Sequence, residues 1–169
     1  MSEGRFVIKA GPFNVRVQSS VELVQQGIIQ LYSEYPNLAD DVFCDFYIRL
    51  FCPNGVRRFF RKQILFALDQ IVPFKPLPYA QSFPSFEWGL NWCISNYSHQ
   101  YLIIHAAVVE KHGKAIIMPG LPGSGKSTLC AALINNGWRL LSDELALVDC
   151  VSGDIQPVPR PVSLKNNSI

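Results

Sequence analysis

No two cysteines in this sequence have C-x-x-C spacing, and their number, five, is odd. Those two absences argue against a disulfide or zinc framework and point to reduced thiols, most of them small core residues. Long apolar runs are also missing, since no window approaches the roughly 18 consecutive apolar residues of a transmembrane helix. The N-terminus, Met1-Ser2-Glu3-Gly4-Arg5, lacks the charge, apolar run and small residues of a signal peptide. A cytoplasmic chain with no membrane partner is therefore expected. Charge of one sign is scarce: Lys and Arg exceed Asp and Glu by 15 to 13. Nothing in that balance calls for nucleic acid. There is no repeat and no low-complexity tract. A length of 169 residues, 49% hydrophobic, allows one domain or two small ones with a real core.

Residues 5–18 alternate around Gly11-Pro12, which predicts two strands. Val21 to Tyr35 has helical apolar spacing, with Ser19 or Ser20 placed to cap it and Pro36-Asn37 to end it. Val42–Phe51 predicts a strand, Pro53-Asn54-Gly55 a turn, and Val56–Ala67 the returning arm of a hairpin. Arg57, Arg58, Arg61 and Lys62 read as the solvated face of that hairpin, with an acidic partner as the alternative. Residues 72–85 carry Pro73, Pro76, Pro78 and Pro84, a linker signal. The expected division is therefore an α+β region over 1–80, of unknown role, and a second part over 81–169. Phe86–Tyr97 predicts a helix. Phe83, Phe86, Trp88 and Trp92 read as packing, not as a base-stacking platform. Tyr101–Val109, a turn over Lys111–Lys114 and Ala115–Met118 follow as two antiparallel strands, the second expected to be buried.

Gly120-Leu121-Pro122-Gly123-Ser124-Gly125-Lys126-Ser127-Thr128 fits the phosphate-binding pattern G-x-x-x-x-G-K-[ST] in full. Glycine lets backbone N–H groups close around phosphate oxygens. Lys126 can reach the outer phosphates, and the Ser127 hydroxyl can sit on Mg2+. The helix predicted over Ser127–Asn135 aims its positive end at the same anion, and Asn136-Gly137 stops it. A ligand-free surface loop is the alternative.

Seventeen residues beyond Lys126, Asp143 and Glu144 sit side by side in what reads as one apolar strand, Trp138 to Asp149. Charges there are costly unless paired or metal-bound. One carboxylate can hold Mg2+ and the other can accept a proton from an attacking hydroxyl. A pair that simply faces water is the alternative. From periodicity alone His105, in an apolar strand, has no assigned role.

The segment from Ile104-His105-Ala106-Ala107-Val108-Val109 through the Gly113 turn and Gly120–Thr128 to Gly137-Trp138-Arg139-Leu140-Leu141-Ser142-Asp143-Glu144 resembles the catalytic core of HPr kinase/phosphorylase. The HprK-related kinase A branch is the most similar. The resemblance covers roughly residues 86–169 and matches four elements in order. It implies an α/β fold of the phosphoenolpyruvate-carboxykinase-like type, a P-loop core with a mixed sheet. It also implies ATP on Gly120–Thr128, Mg2+ on Ser127 and Glu144, Asp143 as general base, and His105 near the phosphates. Glu144 stands where such kinases usually carry aspartate, and residues 1–85 do not resemble their regulatory domain. Family kinases run on past the point matching Ile169, so an incomplete core is expected. The implied activity is transfer of phosphate to a hydroxyl, serine, on a protein or peptide, with a homo-oligomer as one expected assembly. Two readings stay open beside it: a nucleotide-binding module or inactive fragment, and a small-molecule kinase.

Overall fold

A computed structural model describes residues 3–32, 39, 41–55, 60–121 and 123–158. The chain forms two compact units, Met1–Tyr97 and Ser98–Ile169.

The first unit is a mixed five-stranded sheet with two helices on one face. Strands β1 (Gly4–Ala10) and β2 (Phe13–Ser19) form the expected hairpin. Gly11 takes the left-handed conformation that its turn requires (φ 63°). Helix α1 (Glu22–Tyr32) then carries the chain to β3 (Phe46–Phe51), which pairs parallel with β2. The buried Ser19 hydroxyl accepts the Val21 N–H at 3.1 Å and donates to the Leu50 carbonyl, so one side chain fixes the turn that leads into the helix and ties it to the sheet. β3 starts later than the aromatic run predicts. Asp45 is held back by the Asn14 N–H at 2.8 Å, while Asn14 Nδ2 holds the Phe43 carbonyl. β4 (Gln63–Leu68) pairs antiparallel with β3, and β5 (Leu77–Pro78) closes that edge.

Helix α2 (Ser82–Tyr97) begins before the expected Phe86, with Pro84 in its first turn, where the missing N–H costs nothing. This helix belongs to the first unit, so the division falls after Tyr97 and not at residue 80. Close packing explains why. A Cβ at Gly27 would lie 2.2 Å from the Phe83 ring, and one at Gly89 would lie 2.2 Å from the Phe66 ring. Phe66, Phe86, Leu90 and Ile94 are fully buried with Val15, Val17, Ile48 and Leu50. Each such side chain contributes about 1.5–3 kcal/mol by leaving water. Of the expected packing aromatics, Phe86 is buried, whereas Trp88 is half-exposed and lies 4.3 Å from Phe74 between ring centroids. Arg61 and Lys62 are exposed, and the Lys62 ammonium lies 3.6 Å from the Tyr79 ring centroid. Arg57, Arg58 and the start of that hairpin arm lie outside the described residues, as do the expected helix end at Tyr35 and its Pro36-Asn37 stop.

The second unit is built on one long strand, β6 (Tyr101–Lys111). It turns at His112-Gly113, both with positive φ (55° and 75°), into β7 (Lys114–Pro119). That is the signature of a tight hairpin turn whose twist matches the strands. Helix α3 (Lys126–Asn135) leads from β7 to β8 (Arg139–Ser142), which lies on the other side of β6. Because β6 is antiparallel to both, β7 and β8 run parallel to each other with β6 between them. β9 (Leu145–Asp149) continues along β6, and β10 (Ile155–Gln156) pairs with β9. Among the described residues every strand pair of this unit is antiparallel; the parallel pair is in the first unit. The mixed sheet expected for the loop-bearing core is therefore not seen there.

Ala107, Val109 and Cys130 form the core beneath α3, with Leu133 and Trp138 packed against it. Ala106, Val108, Leu141 and Ala146 form the core on the opposite face. β7 is not the buried strand its apolar run predicts. It is a terminal strand of the sheet, and Lys114–Ile116 are exposed. Asn136-Gly137 ends α3 as expected: Trp138 N–H bonds Leu133 O and Gly137 N–H bonds Ile134 O, with Gly137 at φ 79°. Lys111 Nζ donates to Asn136 O at 3.0 Å, placing a cation at the negative helix end. Glu110 accepts the Gly113 N–H at 2.7 Å and pairs with Arg139 at 2.9 Å. The Gly113 N–H, with Arg139, holds the Glu110 carboxyl below the ordinary carboxylate range.

An added methyl at residue 89 measures this packing. Alanine in an exposed helix interior stabilises by about 1 kcal/mol over glycine. Because Phe66 occupies the space, Gly89→Ala is expected instead to cost about 1–3 kcal/mol in urea unfolding; a more stable variant would contradict the packing.

Candidate active site

The site lies midway along β6, where its ladder with β7 ends. Pro119, the last residue of β7, is the register partner of Ala106. On the other side of β6, Ala106 N–H donates to the Glu144 carbonyl at 3.1 Å. The loop and the acidic pair therefore leave the sheet at the same β6 residue, one to each side. The geometry also accommodates the proline. Ala106 spends its N–H away from β7, so opposite it Pro119 has no donor to supply.

The loop itself has the conformation its sequence demands. Gly123 (φ 80°) and Gly125 (φ 84°) are left-handed, which costs a non-glycine residue roughly 1–2 kcal/mol. At Gly120 the constraint is space, since a Cβ there would lie 2.8 Å from Ser124 Oγ. Leu121 and Ser124 are exposed, with Ser124 N–H bonded to Leu121 O at 3.1 Å. Pro122 lies outside the described residues. Lys126 folds back over the loop, its ammonium donating to Gly120 O at 2.6 Å and Leu121 O at 3.2 Å. The cation thus sits over the loop mouth on weak neutral acceptors, which a phosphate oxygen would outcompete. Thr128 is exposed on the first turn of α3.

Asp143 and Glu144 are not inside a strand. They form the bend between β8 and β9 and break the ladder along β6 opposite Ala106 and Ala107. Sequence reasoning missed the residue that makes this corner. The buried Ser142 Oγ accepts the Leu145 N–H at 3.0 Å and the Glu144 N–H at 3.3 Å, a serine turn that competes with the ladder. The signal was legible as a serine directly before two acids. The corner removes the cost of a mid-strand charge for Glu144, which is exposed, and lowers it for Asp143, which stays half-buried with Oδ1 shielded from solvent.

Of the two acids, Asp143 is the one placed against the loop helix. Ser127 Oγ lies 3.4 Å from Asp143 Oδ2, sixteen residues apart in the chain. A hydroxyl beside a carboxylate is the oxygen donor set a Mg2+ ion takes when phosphates and water supply the rest. Among the described residues no three His, Cys, Asp or Glu side chains converge on a metal position. The pair therefore fits a shared phosphate–metal site and not an all-protein cage. His105 is exposed, not a core histidine, and neighbours Ala106 on β6. By strand alternation it shares the face of Ala107 and Val109, which α3 covers. Cys130, on the inward side of α3, is buried, as most of the cysteines are expected to be; burial, then the Asp143 charge, pushes its thiol up to about 11.

The family model described as SynChlorMet cassette protein ScmC matches residues 92–162. Two curated proteins, HPr kinase/phosphorylases from two strains of Treponema pallidum, are each 36% identical over 61 residues. That stretch is 36% of this chain but 19% of those enzymes, so the chain spans about a fifth of the relatives it matches. No solved structure matches it. The similarity is thus partial, and it relates a segment of the chain to HPr kinase/phosphorylase. No helix among the described residues is long and apolar enough to cross a membrane.

All five cysteines are free, and Cys150 is exposed. At about pH 8 Cys130 is expected to stay protonated and resist iodoacetamide, while Cys150 is alkylated. Peptide mass mapping reads both, and equal rates would contradict the packing of α3.

Proposed function

We propose that the second unit is an HPr kinase-like phosphotransfer core, with the phosphoenolpyruvate-carboxykinase-like fold. It would bind ATP with Mg2+ and transfer the γ-phosphate to a hydroxyl, a serine of a protein or peptide. One observation carries the reading: Ser127 of the loop helix and Asp143 of the acid corner meet at 3.4 Å, while loop and corner are anchored to the same β6 residue. The partial similarity to HPr kinase/phosphorylase supports the same chemistry.

When bound, ATP supplies the phosphoryl group and Mg2+ neutralises charge on the phosphate oxygens. Lys126 exchanges its carbonyl partners for those oxygens. The N–H groups of Gly123–Gly125 and the start of α3 orient them. Ser127 and Asp143 hold the metal side of the site, so Asp143 takes part in metal binding as well as in catalysis. The acceptor oxygen attacks the terminal phosphorus as the bond to the leaving diphosphate oxygen breaks. The hydroxyl proton passes to a carboxylate at the corner, Asp143 or Glu144. His105, exposed beside the same β6 residue, faces the reacting phosphates.

A second reading, a nucleotide-binding module without turnover, is favoured by the open β7 flank. Ile116 of β7 and Leu129 of α3 are large apolar side chains left exposed, 41% and 52%. A core working in isolation would ordinarily cover them.

Labelled ATP, equilibrium binding and transfer to serine peptides separate the two readings. Lys126→Ala is expected to weaken ATP binding by about 100-fold, since it removes a charge-assisted contact. Asp143→Asn is expected to leave metal-free ATP binding within a few-fold and to cut turnover by about 1000-fold. Equal binding losses in both variants would contradict the assigned roles. Tight ATP binding by the unmodified chain, with neither transfer nor hydrolysis, would establish the second reading.

A further inference from the structure

The second unit ends its sheet on an unguarded strand. β7 pairs with β6 on one flank, and among the described residues no strand pairs with the other. Antiparallel pairing alternates, so two fixed points give the direction of each main-chain group. Lys111 and Lys114 close the two-residue hairpin turn, so their main chains bond each other. Ala106, opposite Pro119, spends its N–H on Glu144, away from β7. Between these points the main-chain groups of Lys114, Ile116 and Met118 turn to β6. Those of Ala115 and Ile117, with the Pro119 carbonyl, turn outward. Ala115 and Ile116 are exposed. Two other edges are guarded. On β1 the same rule, counted from the Ala10–Phe13 pair, turns Arg5, Val7 and Lys9 outward. Two copies of β1 paired about Val7 would set Arg5 against Lys9, and like charges directly opposite repel. β5 is only Leu77 and Pro78, and proline cannot donate to a ladder. β7 has no such protection, since its single charge, Lys114, stands at the turn end of an apolar strand.

We propose that β7 pairs antiparallel with β7 of a second copy of this chain, about a two-fold axis at Ile116. Two observations choose a second copy over a strand of another protein. The first is that the edge complements itself. With Ile116 opposite Ile116, Ala115 of each copy faces Ile117 of the other, and every outward N–H and C=O of these residues is bonded. Pro119 then falls opposite Gly113, whose N–H is already held by Glu110 at 2.7 Å, so pairing ends there without a stranded donor. An axis at Ile117 would instead place Pro119 where an N–H is needed. The second observation is that the charges keep clear of each other. Lys114 falls beside Met118, along which its apolar stem can lie. The two Lys114 side chains stand about 13 Å apart along the strands, beyond a Debye length at physiological salt. Ile116, exposed in the single chain, meets Ile116 at a non-bonded pair, where Cα atoms approach to about 4.5 Å. Such a contact uses the same edge of both copies, so it closes at two chains. This inference is independent of the phosphotransfer proposal and holds or fails without it.

The test uses the full chain. Sedimentation equilibrium is expected to show a reversible monomer–dimer step, with dimer the main species at about 100 µM, since so small a contact binds in the micromolar range. Ala115→Pro removes an outward N–H and no bond to β6, and is expected to weaken dimerisation by at least about 10-fold. Ile116→Lys sets two cations against each other at the axis and is expected to do the same. Ile29→Lys, at an exposed apolar position of α1 in the first unit, is expected to leave dimerisation unchanged. Cross-linking reads the register. On a Cys150→Ser background treated with oxidised glutathione, Ile116→Cys is expected to give a disulfide-linked dimer, because its Cα separation suits the bond, while Lys114→Cys does not. Should circular dichroism show Ala115→Pro or Ile116→Lys unfolded, the two cysteine variants give the reading. A single chain at every concentration, an unchanged dimer in folded Ala115→Pro and Ile116→Lys, assemblies larger than two, an equal loss in Ile29→Lys, or equal cross-linking at 114 and 116 would each overturn the proposal.

Discussion

The candidate site depends on the backbone of one small residue. Ala106 pairs across from Pro119 on one side and donates its N–H to the Glu144 carbonyl on the other. The glycine-rich loop begins one residue after Pro119, and the acid corner is the bonded segment itself. A loop and a carboxylate pair that arise from opposite flanks of the strand are thereby fixed in register. Main-chain pairing is a stiff way to do this, because a slip of one residue would turn every side chain of the partner strand to the other face. Ala107 is fully buried and adds little bulk, so α3 can lie close above that face of the sheet, while Ala106 serves the opposite core.

From that junction the chemistry follows by geometry. α3 starts at the loop and brings Ser127 down beside Asp143. The Ser142 hydroxyl, bonded to two N–H groups, keeps the corner out of the ladder and leaves Glu144 exposed and Asp143 half-buried. Lys111 and the Gly137 turn secure the far end of the helix, so its start is held as well. The first unit is assembled on different principles. There, glycines at 27 and 89 let aromatic rings approach helices closely.

Much of this was legible because the signals are local. The glycine-rich loop, the Asn136-Gly137 stop and the Gly11 and Gly113 turns each declare a backbone conformation through residue type. What was not legible depends on partners distant in sequence. An apolar run such as Ala115–Met118 reads the same whether the strand is central or terminal, and here it is terminal. Pro84 reads as a breaker unless it falls in the first turn of a helix, as it does. The acids read as mid-strand charges because apolar residues flank them, while the Ser142 turn that frees them is a side-chain effect. The end of the first unit was placed too early because partners distant in sequence assign α2 to it: Gly89 fits the Phe66 ring, Phe83 fits Gly27, and Phe86 meets the Tyr32 ring. Whether Asp143 or Glu144 faces Ser127 was beyond alternation once the strand broke between them and their neighbours.

The central claim is that β6 brings Ser127 and Asp143 together as the metal side of a nucleotide phosphate site. Titration of ATP with and without Mg2+, on the unmodified chain and on Ser127→Ala and Asp143→Asn, tests it most directly. Mg2+ should tighten binding to the unmodified chain, and each variant should lose that increment while keeping its metal-free affinity. An increment that survives in both variants would show that these two residues do not hold the metal.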